Sequence, residues 1–137
     1  MAVSTLAFFN AYAEAYESYS PEAVAKMYFT PSVVVSDDRK TVFTSDEELF
    51  EHIQSLMNRL KAVGVTHCVP EVCQTMRLAE HILFSNVNWS FTDEDGQHVF
   101  SCFVSYTLQV GDDNLKVIVS VIDDEERELA KLTNGVI

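Results

Sequence analysis

The second half of the chain consists of long β-like segments joined by short polar turns. Residues 65–79, 81–92, 97–110 and 115–122 are rich in Val, Ile, Phe and Thr, and Leu-Ala-Glu-His, Asp-Glu-Asp-Gly and Gly-Asp-Asp-Asn separate them. Because connections this short force neighbouring strands to run in opposite directions, the pattern predicts an antiparallel sheet.

The first half of the chain has helical periodicity. Large aromatic residues recur on one side of residues 5–19, which predicts a helix with an aromatic inner face. A second short helix is predicted after Ser20, and a capping box at Ser45 begins a third helix that Gly64 ends. We therefore predict a single α+β domain, residues 1–137, in which three N-terminal helices cover one face of a cone-shaped, curved antiparallel sheet.

The segment that starts at Gln97 has two semi-apolar faces. One set of alternate residues runs from His98 to Leu108 and includes Phe100, Cys102, Val104 and Tyr106; the other is Val99, Ser101, Phe103, Ser105 and Thr107. In a sheet with one face in solvent, one of the two sets of alternate residues on each strand should be plainly polar. We therefore predict that a second copy of the chain covers the face that the helices leave open, which makes the protein a homodimer.

Charge and composition exclude several classes of partner. The formal net charge is -12, with 9 Lys and Arg against 21 Asp and Glu, so nucleic acid and membrane surfaces are unfavourable partners. The spacing of Cys68, Cys73 and Cys102 does not match a zinc site, and three cysteines within β-like segments fit reduced thiols in the cytoplasm. We expect no metal and no cofactor.

The run from Tyr12 to Tyr28, YAEAYESYSPEAVAKMY, resembles the opening of the ketosteroid isomerases. Together with the element order, it makes nearly the whole chain similar to the nuclear transport factor 2-like superfamily, which also includes SnoaL-like polyketide cyclases and scytalone dehydratase. The resemblance implies an apolar pocket between the helices and the sheet that holds a small organic molecule.

The resemblance also implies roles for individual residues. Tyr12 aligns with the tyrosine that donates a hydrogen bond to the substrate oxygen in the isomerases. Ser36 stands where they keep the basic aspartate, with Asp37 one residue later, and Ser105 stands where they keep a second acid. His67, on the first long strand, is a further candidate to point inward. The candidate catalytic residues are therefore Tyr12, Asp37 and His67.

The same alignment assigns the two faces of the strand from Gln97. It directs the set that contains Ser101 towards the pocket and leaves the His98 to Leu108 set for the dimer. A three-residue reversal at Glu94-Asp95-Gly96 would pair Trp89 with Ser101. The ligand-binding residues that this arrangement implies are Tyr16, Ser36, Phe50, Met57, Trp89, Ser101, Phe103 and Ser105.

Two functions remain open from the sequence. One is proton-transfer chemistry of the isomerase, cyclase or dehydratase type, with Tyr12 as donor and Asp37 or His67 as base. The other is a non-catalytic dimeric module that binds a ligand or a partner. Solvent exposure of both Asp37 and His67 would leave the first without its base, and a cavity too small for a ligand would favour the second.

Overall fold

The computed structural model describes residues 4–37, 39–112 and 114–123. It contains helices α1 (Thr5–Glu17), α2 (Pro21–Ala25) and α3 (Asp46–Ala62), and strands β1 (Tyr28–Val35), β2 (Lys40–Phe43), β3 (His67–Ala79), β4 (Ile82–Thr92), β5 (His98–Val110) and β6 (Leu115–Asp123). The six strands form one curved, unclosed sheet in the order β2-β1-β6-β5-β4-β3. The predicted α+β fold is confirmed.

The helices α2 and α3 begin directly after the predicted caps, and α3 ends two residues before Gly64. The Ser20 hydroxyl accepts from the Ala23 N–H at 3.3 Å at the start of α2, and the Ser45 hydroxyl accepts from the Glu48 N–H at 3.2 Å at the start of α3. The Thr44 hydroxyl donates to the Glu48 carboxylate at 2.9 Å and is the main reason that the pKa of Glu48 is lowered. Gly64 follows α3 with a φ of +84°.

The sheet is mixed rather than purely antiparallel. Strands β3 to β6 form the predicted antiparallel meander, and β1 and β2 form an antiparallel pair around residues 36–39; Asp38 lies outside the described residues. However, β1 lies parallel to β6, with Val33 opposite Val119 and Val35 opposite Val121. A parallel pair needs a long connection, and here α3 and the strands β2 to β5 supply it.

The predicted assignment of the two faces of β5 is wrong. The side chains that pack beneath the helices belong to Phe100, Cys102, Val104, Tyr106 and Leu108, each at most 4% exposed. The set predicted to face the pocket lies on the opposite side of the sheet, where Phe103 is 43% exposed. We call this side the outer face, defined on β5 by Ser101, Phe103, Ser105 and Thr107.

A β-bulge is the cause of this reversal. The turn itself follows the prediction, because the Asp93 N–H donates to the Gln97 carbonyl at 2.9 Å and Thr92 pairs with His98. Phe91 then pairs with Phe100, so Val99 is an extra residue on β5, and Trp89 faces Cys102 instead of Ser101. A shift of one residue moves every later side chain to the other face of the sheet.

Candidate functional site

A small cavity lies between the helices and the concave face of the sheet. We call it the inner cavity; its volume is about 40 Å³, and its walls are mostly aromatic and aliphatic. One water molecule needs about 10–15 Å³ by this measure, so the space holds about three waters or one small functional group, but not a ring. Its lining residues include Tyr12, Tyr16, Tyr28, Leu60, Cys68, Trp89, Phe91, Val104, Tyr106 and Ser120.

Hydroxyl groups are concentrated on the wall of the inner cavity. The hydroxyls of Tyr12 and Tyr28 lie 2.6 Å apart and share a hydrogen bond, which uses one of their two protons. The Trp89 indole N–H donates to the Tyr106 hydroxyl at 2.8 Å, so this oxygen already serves as an acceptor. The apolar wall therefore carries a group of polar atoms that is suited to an oxygen-bearing ligand group.

Ser120 differs from the other polar groups of this wall. Its side chain is 3% exposed, and its hydroxyl has no hydrogen-bond partner among the described residues. A buried hydroxyl without a partner costs about 1–3 kcal/mol, which is why such groups are uncommon and mark functional sites or bound waters. Ser120 therefore presents an unsatisfied donor and acceptor to the inner cavity.

Tyr12 remains a hydrogen-bond donor at neutral pH. Burial raises the pKa of its phenol well above the usual value, and the neighbouring hydroxyls of Tyr16, Tyr28 and Tyr106 add to this effect. Because the neutral form persists, Tyr12 cannot act as a base here, but it can donate to a carbonyl or an enolate oxygen.

A second and larger cavity adjoins the first. We call it the outer cavity; it has a volume of about 210 Å³, and the two cavities share the side chains of Val34, His52, Leu56 and Ile122. This volume is sufficient for a six-membered ring, since a cavity of about 150 Å³ accepts benzene. The remaining lining residues are Ser36, Arg39, Thr41, Phe43, Ser55 and Arg59.

Four of the predicted site residues line these cavities. Tyr12, Tyr16 and Trp89 line the inner cavity, and Ser36 lines the outer one. The hydrophobic period of α1 places the two tyrosines towards the sheet, where their rings lie 5.2 Å apart. The ring of Trp89 lies 5.7 Å from that of Tyr12, so the aromatic wall joins α1 to β4.

Neither predicted base reaches a cavity. Asp37 is exposed in the bend after β1 and lines neither space, whereas its neighbour Ser36 does, as expected from the alternation of strand side chains. The His67 side chain is 56% exposed, and its Nδ1 lies 3.5 Å from the carboxylate of Glu17, the last residue of α1. The predicted bases are therefore separated from the predicted donor, Tyr12.

The other predicted ligand-binding residues also lie away from the cavities. Met57 is 1% exposed and fills the core, and Phe50 is half-buried on α3 without lining either space. The bulge places Ser101, Phe103 and Ser105 on the outer face. There, the Ser101 hydroxyl lies 2.6 Å from His98 Nε2, and the Ser105 hydroxyl accepts from the Asn86 side chain at 3.0 Å.

Several residues that line the cavities were not predicted from the sequence. His52, Leu56 and Arg59 follow the helical period of α3 along one flank of its apolar stripe, and this spacing is a usable signal. Tyr106 belongs to the more apolar alternate set of β5, and the most apolar set is the better choice for the core. For Ser120, the sequence offers only one signal, which is the presence of a hydroxyl side chain within a largely aliphatic strand.

Within residues 4–37, 39–112 and 114–123, no group of three or more His, Cys, Asp or Glu side chains is arranged to hold a metal ion. In the same part of the chain, no helix is both long and apolar enough to cross a membrane. The polar side-chain groups that line the two cavities are hydroxyls, an imidazole, a thiol, an indole N–H and two guanidinium groups.

Solved structures with the same fold come from several bacteria. An NTF-2-like protein of unknown function from Shewanella oneidensis superposes with a TM-score of 0.68 at 9% identity, over 85% of this chain and 93% of that chain. A domain of unknown function with a cystatin-like fold from Nostoc punctiforme superposes with a TM-score of 0.68 at 14% identity, over 98% of this chain and 89% of that chain. A ketosteroid isomerase-like protein from Erwinia carotovora atroseptica superposes with a TM-score of 0.60 at 16% identity, over 85% of this chain and 89% of that chain.

At these identities, the superpositions establish the shared fold alone, and no functionally curated protein matches the chain. The family described as "NTF2-like protein (DUF6841)" matches residues 4–125, which is nearly all of the sequence. This match agrees with the helices on a curved sheet and with the resemblance carried by the run from Tyr12 to Tyr28. The chain belongs to this NTF2-like family.

Proposed function

We propose that this domain binds a small, ring-sized organic molecule across the two cavities. The ring occupies the outer cavity against Val34, Phe43, Leu56 and Ile122, and a carbonyl or hydroxyl group enters the inner cavity. The observation that carries this proposal is the buried, unpartnered hydroxyl of Ser120 on the inner wall, because a ligand oxygen would supply its missing hydrogen bond.

The volumes and the surrounding groups support the same orientation. The inner cavity, at about 40 Å³, accepts one polar group, and the outer cavity, at about 210 Å³, accepts a ring. Tyr12 stays protonated and lies on the inner wall, so it is a second donor for the ligand oxygen when the Tyr28 hydroxyl donates to it. A few convergent polar groups in an otherwise apolar space are typical of small-molecule sites.

Cyclohexanone is a suitable neutral probe. Its binding should shift the indole N–H resonance of Trp89, the single tryptophan of the chain, because this group lies on the inner wall. Ser120→Ala should weaken binding by about 5- to 10-fold through the loss of one hydrogen bond. The free energy of unfolding should not fall, because the Ser120 hydroxyl has no partner among the described residues.

Ser105→Ala is the matched control, since it removes a hydroxyl from the outer face of the same sheet. We expect it to leave cyclohexanone affinity unchanged within about 2-fold. An indole resonance that does not move at saturating cyclohexanone, or equal losses in both serine variants, would contradict the proposed site.

Proton transfer is a second candidate function, and His52 is the observation that favours it. Its imidazole lines both cavities and packs on the Phe43 ring at 4.8 Å, so it lies between the proposed positions of the ring and the ligand oxygen. An imidazole can remove a proton from the carbon beside a carbonyl; the C–H electrons then form an enolate whose oxygen accepts from Tyr12. Asp37 and His67 have no part in this scheme.

Deuterium exchange into cyclohexanone tests this chemistry directly. In heavy water, the protein should accelerate exchange beside the carbonyl, and His52→Gln should reduce the acceleration by about 100-fold, the usual contribution of a positioned base. His81→Gln is the control because His81 is exposed in the turn between β3 and β4. Exchange at the buffer rate with wild-type protein would eliminate this second candidate and leave binding as the function.

We further propose that the protein is a homodimer through the outer face of the sheet. Phe103 and Val121 are 43% and 44% exposed there, and Val69 is 53% exposed on β3, on the far side of β4. The intervening side chains are mainly hydroxyls and amides; the formal charges include Glu71 on the edge strand β3 and Asp123 at the end of β6, directly opposite Phe103. An apolar and weakly charged sheet face of this kind is suited to a second copy of itself.

A further inference from the structure

We propose that Ser101 and His98 form an acyl-transfer site on the outer face of the sheet, separate from the two cavities. The serine is the nucleophile, the histidine is its base, and the substrate class is an ester of a small carboxylic acid. The inference is independent of the proposed binding function, because neither residue lines a cavity.

The β-bulge in β5 brings these two side chains together. In a regular strand, residues three positions apart point to opposite faces, so the sheet would separate His98 from Ser101. The extra residue Val99 changes this alternation, and Nε2 of His98 lies 2.6 Å from the Ser101 hydroxyl oxygen. Bulges often redirect a side chain next to an active site, and this one places a histidine beside a serine.

The contact between the two side chains has the geometry of a serine with its general base. A nucleophile and its base should lie within hydrogen-bond distance, and 2.6 Å satisfies this requirement. With its own proton on Nδ1, the imidazole accepts at Nε2 the proton that Ser101 donates. His98 is exposed and Ser101 is half-buried, so a small ester can approach the pair from solvent.

Asn88 is the residue that stabilises the negative charge that develops on the ester oxygen. It lies opposite Phe103 on β4, which makes it the diagonal neighbour of Ser101 on the outer face. The side-chain oxygen of Asn88 has no hydrogen-bond partner among the described residues, so the amide can rotate without breaking a bond to that atom. Side-chain amides act as oxyanion donors in acyl transfer, and the N–H2 group of Asn88 is suited to this role.

Acyl transfer at this pair proceeds through an acyl-serine. The Ser101 oxygen attacks the carbonyl carbon of the ester while its proton moves to Nε2 of His98. The ester C–O bond then breaks, and His98 returns the proton to the oxygen of the departing alcohol. A water molecule attacks the acyl-serine with the help of the same base, which releases the free acid and regenerates the serine hydroxyl.

The activated ester p-nitrophenyl acetate tests the inference, because peptide mass spectrometry locates the acetyl group that it transfers. We expect the wild-type protein to form acetyl-Ser101. His98→Gln should slow this step by about 100-fold, the contribution of a positioned base. Asn88→Ala should also slow it by about 100-fold, the lower end of the loss for an oxyanion donor. All proteins are compared at a concentration at which light scattering shows a single chain, since a second copy on the outer face would cover Ser101.

Ser105 is the internal control, because its hydroxyl lies on the same face but accepts from an asparagine side chain. Acetyl-Ser105 should form at least about 100-fold more slowly than acetyl-Ser101. His81→Gln removes an exposed imidazole elsewhere and should leave the formation of acetyl-Ser101 within about 2-fold. Acetyl groups on lysine or cysteine side chains alone would overturn the inference. So would equal formation of acetyl-Ser101 in wild-type and His98→Gln proteins that both keep the Trp89 indole resonance of the folded chain.

Discussion

Leu108→Ala should lower the free energy of unfolding by about 3 kcal/mol, within the range measured for buried leucines. Leu108 is 0% exposed beneath the helices, so its truncation leaves a cavity in the core. Its neighbour Thr107 is half-buried on the outer face, and Thr107→Ala should lower the free energy of unfolding by about 1 kcal/mol at most, the span of strand propensities. Urea unfolding at one fixed protein concentration measures both values.

This comparison tests the face assignment of β5 as well as the packing. Without the bulge at Val99, Leu108 would lie on the outer face and Thr107 in the core, so the order of the two effects would be reversed. Equal losses would contradict this face assignment, and a greater loss from Thr107→Ala would indicate the other orientation of the strand. The m-value should stay constant, because neither substitution changes the area that unfolding exposes.

Phe103→Glu should convert the proposed dimer into a monomer. If the outer faces of two copies meet, each copy would bury one unpaired carboxylate, and an uncompensated buried charge costs about 3–5 kcal/mol, or more than 100-fold in the dissociation constant. Size-exclusion chromatography with light scattering at micromolar concentration reports the mass directly.

Leu6→Glu is the control for this substitution. Leu6 is 53% exposed on α1, away from the sheet, and its replacement adds the same charge. We expect the Leu6 variant to remain dimeric. A monomeric wild-type protein at the same concentration would eliminate the dimer, and a dimeric Phe103→Glu variant would show that a different surface forms it.

Local signals were sufficient to predict the three helices and the strands β3 to β6, but not the strand β2 (Lys40–Phe43). The caps at Ser20 and Ser45 and the turn at Gly64 act within a few residues, so their geometry can be read from the sequence directly. The meander from β3 to β6 follows from short turns for the same reason. The parallel contact between β1 and β6 could not be read in this way, because it joins residues that are far apart in sequence.

The candidate site was only partly predictable. The periodicity of α1 was sufficient to direct Tyr12 and Tyr16 towards the sheet, where Trp89 also lies. The outer cavity, in contrast, depends on Arg39 from a turn and Arg59 from a helix, and only tertiary packing brings them to the same space. The resemblance to the isomerases suggested Ser105 for the pocket, but one unpaired residue upstream moves it to the opposite face.

The extra residue in β5 has a practical consequence for protein engineering. When side chains from a relative are transplanted into this strand by aligned position, a donor strand without the bulge delivers each of them to the wrong side of the sheet beyond Val99. A graft intended to recreate an active site would then alter the surface instead. Positions for transplantation into β5 should therefore be numbered backwards from Val110, on the far side of the bulge, rather than forwards from the turn before His98.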